Sequence, residues 1–247
     1  MSFRFKQFFV EDSRCAMKVG TDGVLLGAWV SEAISSQPSA ISILDVGTGS
    51  GLIALMLAQR CPEAHIDAID IDEAAVEQAR ENFEKAYPHP LPERRGELCA
   101  SCASLQEWNR GPYDLIVSNP PYFQNSLKNP DEGRRTARHT DSLSYEELIR
   151  HSARLLAEDG QLALILPAEA ETEIRELAAH YGLFCTRVTR VYSKENKPAR
   201  RVLMEFERGV TGYGLPVMGV QEDTLVLEDE KGGRSAAYSE LTKDFYL

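Results

Sequence analysis

Strand-like and helix-like segments alternate along most of the chain, and this alternation restricts the fold more than any other feature. The apolar runs ISILDVG (41–47) and HIDAID (65–70) are each followed by a helical pattern, LIALMLAQR (52–60) and EAAVEQARENFEKA (73–86). Such alternation is typical of βαβ units around a mostly parallel sheet. We therefore expect an α/β, Rossmann-like fold.

The later part of the chain predicts an antiparallel pair. The segments 184–193 and 199–208 read as two strands joined by a polar loop, which predicts a hairpin at one edge of the sheet. Gly160 and Gly182 lie where helix C-terminal caps are expected. The expected sheet has seven strands, mostly parallel with an antiparallel edge hairpin, and helices on both faces.

Composition excludes several classes of protein. The chain has 247 residues, of which 43% are hydrophobic, enough for one sizeable core. No apolar run approaches the roughly 18 residues that span a bilayer, and the charged N-terminus does not resemble a signal peptide. Five cysteines without framework spacing predict reduced thiols and a cytoplasmic location. Cys99 and Cys102 form a lone C-x-x-C pair, too few ligands for a zinc site, so we expect no metal.

A glycine-rich turn, LDVGTGSGL (44–52), joins the first predicted strand of the sheet to its helix. Glycines here allow a sharp turn and close approach of a ligand to the backbone at the carboxyl edge of the sheet. The spacing G-x-G-x-G differs from the dinucleotide fingerprint G-x-G-x-x-G. Asp70 ends the next strand, where a carboxylate can bind both hydroxyls of a ribose, whereas Asp72 is expected to cap the following helix.

The stretch VSNPPYF (117–123) follows another apolar run. Pro120 and Pro121 fix φ and lack N–H groups, and Asn119 is held extended because it precedes a proline. The predicted result is a stiff rim at the end of a strand, with one amide, bare carbonyls and the ring of Tyr122. Such a rim is suited to accepting hydrogen bonds.

The sequence resembles the class I S-adenosylmethionine-dependent methyltransferases that methylate amino groups. The resemblance is carried by the glycine-rich turn, the aspartate at the end of the second strand and the NPPY motif. The resemblance implies that the Asn119 amide oxygen and the Pro120 carbonyl accept N–H bonds from the target amine, with Pro121 completing the motif and Tyr122 stacking on a planar substrate. It implies S-adenosylmethionine as cofactor. The implied cofactor-binding residues are Lys18, Thr21, Asp22, Asp45, Gly47, Thr48, Gly49, Gly51, Asp70, Ile71, Ser104, Leu105 and Asn119.

The flanking sequences resemble one bacterial family in particular. MKVGTDG (17–23), NPPYF with ARHT downstream, and the terminal LTKDFYL are similar to the tRNA1(Val) (adenine-N6)-methyltransferase family. The resemblance implies N6-methylation of the adenosine beside the anticodon, with Lys18, Thr21 and Asp22 against the methionine end of the cofactor or the target base. Thr21 and Asp22 equally suit a helix N-cap. Ser104 stands where such enzymes often carry an aspartate, which leaves the contact with the cofactor adenine open.

The formal charge of −11 opposes nucleic-acid binding through the whole surface, but basic residues cluster locally. The family resemblance places two clusters at the rim of the target site, where they would contact phosphates of the anticodon arm of tRNA. These residues are Arg134, Arg135, Arg138 and His139 in one cluster, and Lys197, Arg200 and Arg201 in the other. The alternative for both clusters is an ordinary solvated face.

Two other functions remain open from the sequence. A release-factor glutamine N5-methyltransferase also uses NPPY, but only about 40 residues precede the first strand, few for a separate substrate-binding domain. A non-catalytic RNA-binding protein would need neither NPPY nor the cofactor loop.

We expect an N-terminal cap segment (1–40), a methyltransferase catalytic domain (41–208) and a C-terminal tail packed on the same domain (209–247), with no obligate protein partner.

Overall fold

The computed structural model describes residues 2–34, 41–87, 96–121, 143–209 and 219–246. The strands are β1 (Ser2–Arg4), β2 (Phe9–Glu11), β3 (Ser42–Val46), β4 (His65–Asp70), β5 (Leu98–Cys102), β6 (Tyr113–Ser118), β7 (Leu156–Pro167), β8 (Leu183–Tyr192), β9 (Ala199–Arg208) and β10 (Gln221–Val226). The helices are α1 (Thr21–Ile34), α2 (Leu52–Arg60), α3 (Glu73–Ala86), α4 (Tyr145–Leu155), α5 (Glu171–His180) and α6 (Ala236–Thr242).

The main sheet contains eight of these strands, in the order β10-β8-β9-β7-β6-β3-β4-β5. Only β9 runs against its neighbours, β7 and β8. The mostly parallel α/β fold is therefore confirmed, but the expected number of seven strands was wrong. The eighth strand, β10, comes from the C-terminal tail and pairs parallel with β8. The β8–β9 hairpin consequently lies inside the sheet and not at its edge.

Helices cover both faces of the sheet, as expected. Successive residues of a strand point to opposite faces, so neighbouring side chains pack into different cores. Ile43 packs into a core formed with α1, α2 and α3, whereas its neighbour Leu44 packs into a second core formed with α4 and α5. Among the described residues, no helix has both the length and the apolar character needed to cross a membrane.

Local capping fixes several helix ends. The side chain of Asp72 accepts a hydrogen bond from Ala74 N at the start of α3, as predicted. Gly182 follows α5 with a φ of 76°, which suits glycine at a helix C-terminus. Gly160 was wrongly placed as a cap, because α4 ends at Leu155 and Gly160 lies within β7. A Cβ at Gly160 would lie 2.7 Å from the carbonyl oxygen of Tyr113, so a close approach of backbones requires glycine there.

The two ends of the described chain meet on one side of the molecule. β1 and β2 form an antiparallel hairpin, and Lys6 N, between them, donates to Phe245 O at 2.8 Å. Arg60 on α2 pairs with Asp244 at 2.8 Å. These contacts hold the N-terminal hairpin beside α2, from where the chain continues towards the carboxyl edge of the sheet.

Candidate active site

The glycine loop (residues 47–51) and the Asn119-Pro120-Pro121 segment lie side by side at the carboxyl edge of the sheet. They follow β3 and β6, which are neighbours, with Val46 opposite Ser118. The hydroxyl of Ser118 donates to Val46 O at 2.8 Å and ties the two strand ends together. Here β4 and β5 extend to one side and β7 to the other, so this is the switch point where open α/β sheets bind ligands.

The glycine loop has a backbone that other residues rarely adopt. Gly47, Gly49 and Gly51 have φ values of 71°, 54° and 79°. A Cβ at Gly47 or Gly49 would meet no atom within 4 Å, whereas a Cβ at Gly51 would collide with the ring of Phe83 on α3. The first two glycines therefore leave open space above the loop for a ligand, and the third allows α3 to pack closely.

The Asp70 carboxylate is fixed by backbone groups on both sides. Its Oδ2 accepts from Gly49 N at 2.9 Å and its Oδ1 accepts from Asp72 N at 3.0 Å. A carboxylate has about four acceptor positions, so each oxygen can still accept a further hydrogen bond. The geometry suits the pair of hydroxyls of a ribose.

Asp45 is fully buried beneath the glycine loop. Its Oδ2 accepts from Thr48 Oγ1 at 2.6 Å and from Ala54 N at 3.3 Å. Its Oδ1 has no hydrogen-bond partner among the described residues. Burial raises the pKa of this carboxyl to about 7, and the charge on Asp70 acts in the same direction. This oxygen is available to a donor supplied by a ligand or by a water molecule.

Lys18 lies in the loop that leads from β2 to α1, which we call the N-terminal loop (residues 12–20). Its ammonium donates to the backbone oxygens of Asp12 at 2.8 Å, Ser13 at 3.2 Å and Cys15 at 2.9 Å. The carboxylate of Asp12 accepts from Val19 N at 2.9 Å. In this structure Lys18 therefore braces its own loop.

Thr21 and Asp22 begin α1. Thr21 is the first helical residue, so it lies inside the helix and not before it as an N-cap. Asp22 forms an ion pair with Arg201, whose Nε lies 2.9 Å from Asp22 Oδ2. Arg201 stands opposite Pro167 at the end of β7, beside the strand that carries Asn119. The pair joins the start of α1 to β9 at the rim of the site.

The turn after β5 carries the residues expected near an adenine ring. Ala103 N donates to Asp70 O at 2.9 Å, which places this turn beside Asp70. The hydroxyl of Ser104 accepts from Glu107 N at 3.3 Å, and Leu105 is buried. Ile71 is 57% exposed, which is unusual for isoleucine and leaves an apolar surface beside Asp70.

Asn119 and Pro120 directly follow the last residue of β6, Ser118, at the carboxyl edge of the sheet, with Pro120 buried and Pro121 exposed. The Asn119 amide nitrogen lies 3.7 Å from the Met17 sulfur of the N-terminal loop. Tyr122 lies outside the described residues, as do Arg134, Arg135, Arg138 and His139.

Asn82, a buried residue of α3, is not among the residues predicted from the sequence. Its Nδ2 donates to Ser50 O and to Glu11 O, both at 2.8 Å, and its Oδ1 accepts from Glu11 N at 3.0 Å. One side chain thus joins the glycine loop to β2. The only signal in the sequence was an asparagine on the apolar face of a helix. That signal does not show which groups the asparagine bonds.

Most basic side chains of the β8–β9 hairpin already contact a partner within the protein. Arg190 forms ion pairs with Glu171 at 2.7 Å and with Glu222 at 2.9 Å. Arg187 lies over the ring of Trp29, 4.3 Å from its centroid, and Lys194 pairs with Glu228 at 3.3 Å.

Two other basic residues of the hairpin, Lys197 and Arg200, are exposed, and neither forms an ion pair with a residue that the structure describes. Within the same part of the chain, no cluster of His, Cys, Asp and Glu is arranged to hold a metal ion.

The fold and this site together define a class I S-adenosylmethionine-dependent methyltransferase. Residues 28–185 match the Methyltransferase small domain family. The fold is similar to that of a protein from Listeria monocytogenes described as a class I S-adenosylmethionine-dependent methyltransferase. That similarity has a TM-score of 0.61 at 14% identity, over 84% of this chain and 68% of the other. The open glycine loop, the oriented Asp70 and the unpartnered Asp45 oxygen fit this cofactor.

Closer relatives define the family. The chain is 42% identical over 246 residues to a tRNA1(Val) (adenine(37)-N6)-methyltransferase of Bacteroides fragilis, covering 99% of this chain and 97% of the relative. It is 45% identical over 245 residues to the enzyme of that name from Parabacteroides distasonis, with the same coverage. The chain belongs to the tRNA1(Val) (adenine(37)-N6)-methyltransferase family.

Proposed function

We propose that this protein transfers a methyl group from S-adenosylmethionine to N6 of the adenosine at position 37 of tRNA1(Val), the position that the names of its relatives give. The observation that carries the proposal is the placement of Asn119 and Pro120 beside the glycine loop, on adjacent strand ends tied by Ser118. A target amine held there lies next to the cofactor loop. The tRNA substrate also favours a cytoplasmic location.

The cofactor, when bound, supplies an electrophilic methyl group on its sulfonium. Asp70 would hold the ribose hydroxyls, and Ile71 with the turn at Ser104 and Leu105 would contact the adenine. Asp45 would accept a hydrogen bond from a donor at the methionine end, satisfying its buried Oδ1. Gly47, Thr48, Gly49 and Gly51 shape the loop that receives the cofactor.

The target N6 is a poor nucleophile because its lone pair is delocalised into the adenine ring. The Asn119 amide oxygen and the Pro120 carbonyl would each accept one N–H, which draws the nitrogen towards tetrahedral geometry and aims its lone pair at the methyl carbon. Methyl transfer would form the C–N bond as the C–S bond of the cofactor breaks, and the amine proton would pass to water. Catalysis then rests on positioning and on preorganised dipoles. Tyr122 would stack on the base.

The anticodon arm would approach over the carboxyl edge of the sheet. The turn between β8 and β9 lies at that edge, because β9 begins beside the end of β7. Lys197 and Arg200 are the basic residues there that have no ion-pair partner among the described residues. We assign phosphate contacts to them, and extend the assignment to Arg134, Arg135, Arg138 and His139 from the sequence.

The test is nucleoside mass spectrometry on a tRNA1(Val) transcript incubated with labelled S-adenosylmethionine. We expect label in N6-methyladenosine, and none in a matched transcript that carries guanosine at the target position. A release factor with its glutamine motif serves as the competing substrate. Methyl transfer to the release factor, or none to either, would contradict the proposal.

A further inference from the structure

The catalytic role proposed for Asn119 imposes an orientation on its amide. The side chain has an accepting oxygen at one end and a donating NH₂ group at the other. Only the oxygen can accept a hydrogen bond from the target amine, so the NH₂ group must face elsewhere. A flipped amide would present two donors to an amine that itself donates.

Met17 lies where it can fix this orientation. Asn119 Nδ2 donates to the Met17 sulfur at 3.7 Å, although the two residues are 102 positions apart in the chain. A thioether sulfur accepts hydrogen bonds weakly and cannot donate. Only the NH₂ end of the amide can therefore face Met17 favourably, which leaves the oxygen directed away from it.

The N-terminal loop holds Met17 in place from both sides. Lys18, the next residue, is bonded to the carbonyls of Asp12, Ser13 and Cys15, and Val19 N donates to the Asp12 carboxylate. Met17 itself is 44% exposed, so burial in the core does not explain its position.

The start of the same loop is anchored to α3. Gln78 Oε1 accepts from Ser13 Oγ at 3.1 Å, and Asn82 bonds both backbone groups of Glu11. Because Asn82 also bonds Ser50 O, one buried side chain holds both the glycine loop and Glu11, the residue directly before the N-terminal loop. Met17 is thus presented to Asn119 by a braced segment.

We infer that Met17 is a positioning residue, which sets the amide of Asn119 so that its oxygen faces the target amine. This inference rests on the proposed function, since it concerns the group that would accept the amine N–H. It also gives Lys18 a role within the protein, as the brace that keeps Met17 in place.

The test compares Met17→Leu, Asn119→Ala and the double variant with the wild type. Leucine is close to methionine in volume and lacks the sulfur acceptor, so packing changes little. We expect kcat for tRNA methylation to fall roughly threefold to tenfold in Met17→Leu, because one weak hydrogen bond to the Asn119 amide is lost. KM for tRNA, Kd for S-adenosylmethionine and Tm should stay at wild-type values.

The double variant decides how Met17 acts. If Met17 works through the Asn119 amide, Met17→Leu should have no further effect on kcat in the Asn119→Ala background. A full additional loss there, or a change confined to KM for tRNA, would mean that Met17 contacts the base directly and would overturn the inference. An unchanged kcat in Met17→Leu would overturn it too. Absence of methyl transfer by the wild type would instead contradict the proposed function.

Discussion

Oδ2 of Asp70 accepts a hydrogen bond of 2.9 Å from the backbone nitrogen of Gly49, which joins the loops that follow two adjacent strands. The carboxylate that we propose as the ribose ligand therefore also holds the glycine loop in place. Gly49 also has a left-handed φ of 54°, a conformation that favours glycine.

Asp70→Ala should weaken S-adenosylmethionine binding roughly tenfold to a hundredfold, because charge-assisted hydrogen bonds are lost. Isothermal titration calorimetry measures the change. Asp72→Ala is the matched control, since it removes a helix cap two residues away and should cost about 1 kcal/mol of stability while leaving the cofactor Kd unchanged. Equal effects of the two variants on Kd would reject the assignment of Asp70.

The buried Asp45 predicts a pH dependence. Its pKa is raised to about 7, so between pH 4 and 7 the folded protein holds a proton that the unfolded chain releases. The stability contributed by this group therefore falls as the pH rises through that window. A cationic donor at the methionine end of the cofactor favours the ionised carboxylate, so cofactor affinity should increase with pH below about 7, by up to about tenfold per pH unit. In Asp45→Asn this slope should disappear, and calorimetry from pH 5.5 to 7.5 checks it.

Asn119→Ala should lower kcat by about 10²–10³, because the amide oxygen is one preorganised acceptor in the transition state. Asn119→Asp retains an acceptor of the same size, so partial activity there would indicate that geometry suffices. Single-turnover kinetics on an anticodon stem-loop separates kcat effects from binding. A wild-type rate constant in Asn119→Ala would leave the NPP segment as a turn only.

Lys197→Glu with Arg200→Glu should weaken tRNA binding and reduce its salt dependence by about one counterion for each lost phosphate contact. Arg190→Gln is the control, because Arg190 is held by Glu171 and Glu222 and should affect thermal stability instead. Filter binding at several salt concentrations measures both variants. The same salt slope in the double variant and the wild type would assign Lys197 and Arg200 to an ordinary solvated face.

Much of the fold was predictable because its signals are local. The predicted segments 52–60, 65–70 and 73–86 coincide with α2, β4 and α3, where periodicity and the Asp72 cap agree. Gly160 was misplaced because its requirement comes from the approach of Tyr113, a strand neighbour that the pattern does not identify. The eighth strand was not expected in the main sheet for a similar reason, since β10 pairs with a strand about 30 residues earlier in the chain.

The sequence by itself determined the family, the glycine loop, Asp70 and the NPP segment, because these are motifs of fixed spacing at strand ends. Only the tertiary structure decided which charged side chains already have a hydrogen-bond or ion-pair partner within the protein. Lys18 braces backbone carbonyls and Arg201 pairs with Asp22, which is 179 positions away, although both were expected to face ligands. It also revealed Asn82 and Met17 at the site. Hydrogen-bond partners of this kind depend on where distant segments meet in space, and spacing along one chain does not contain that information.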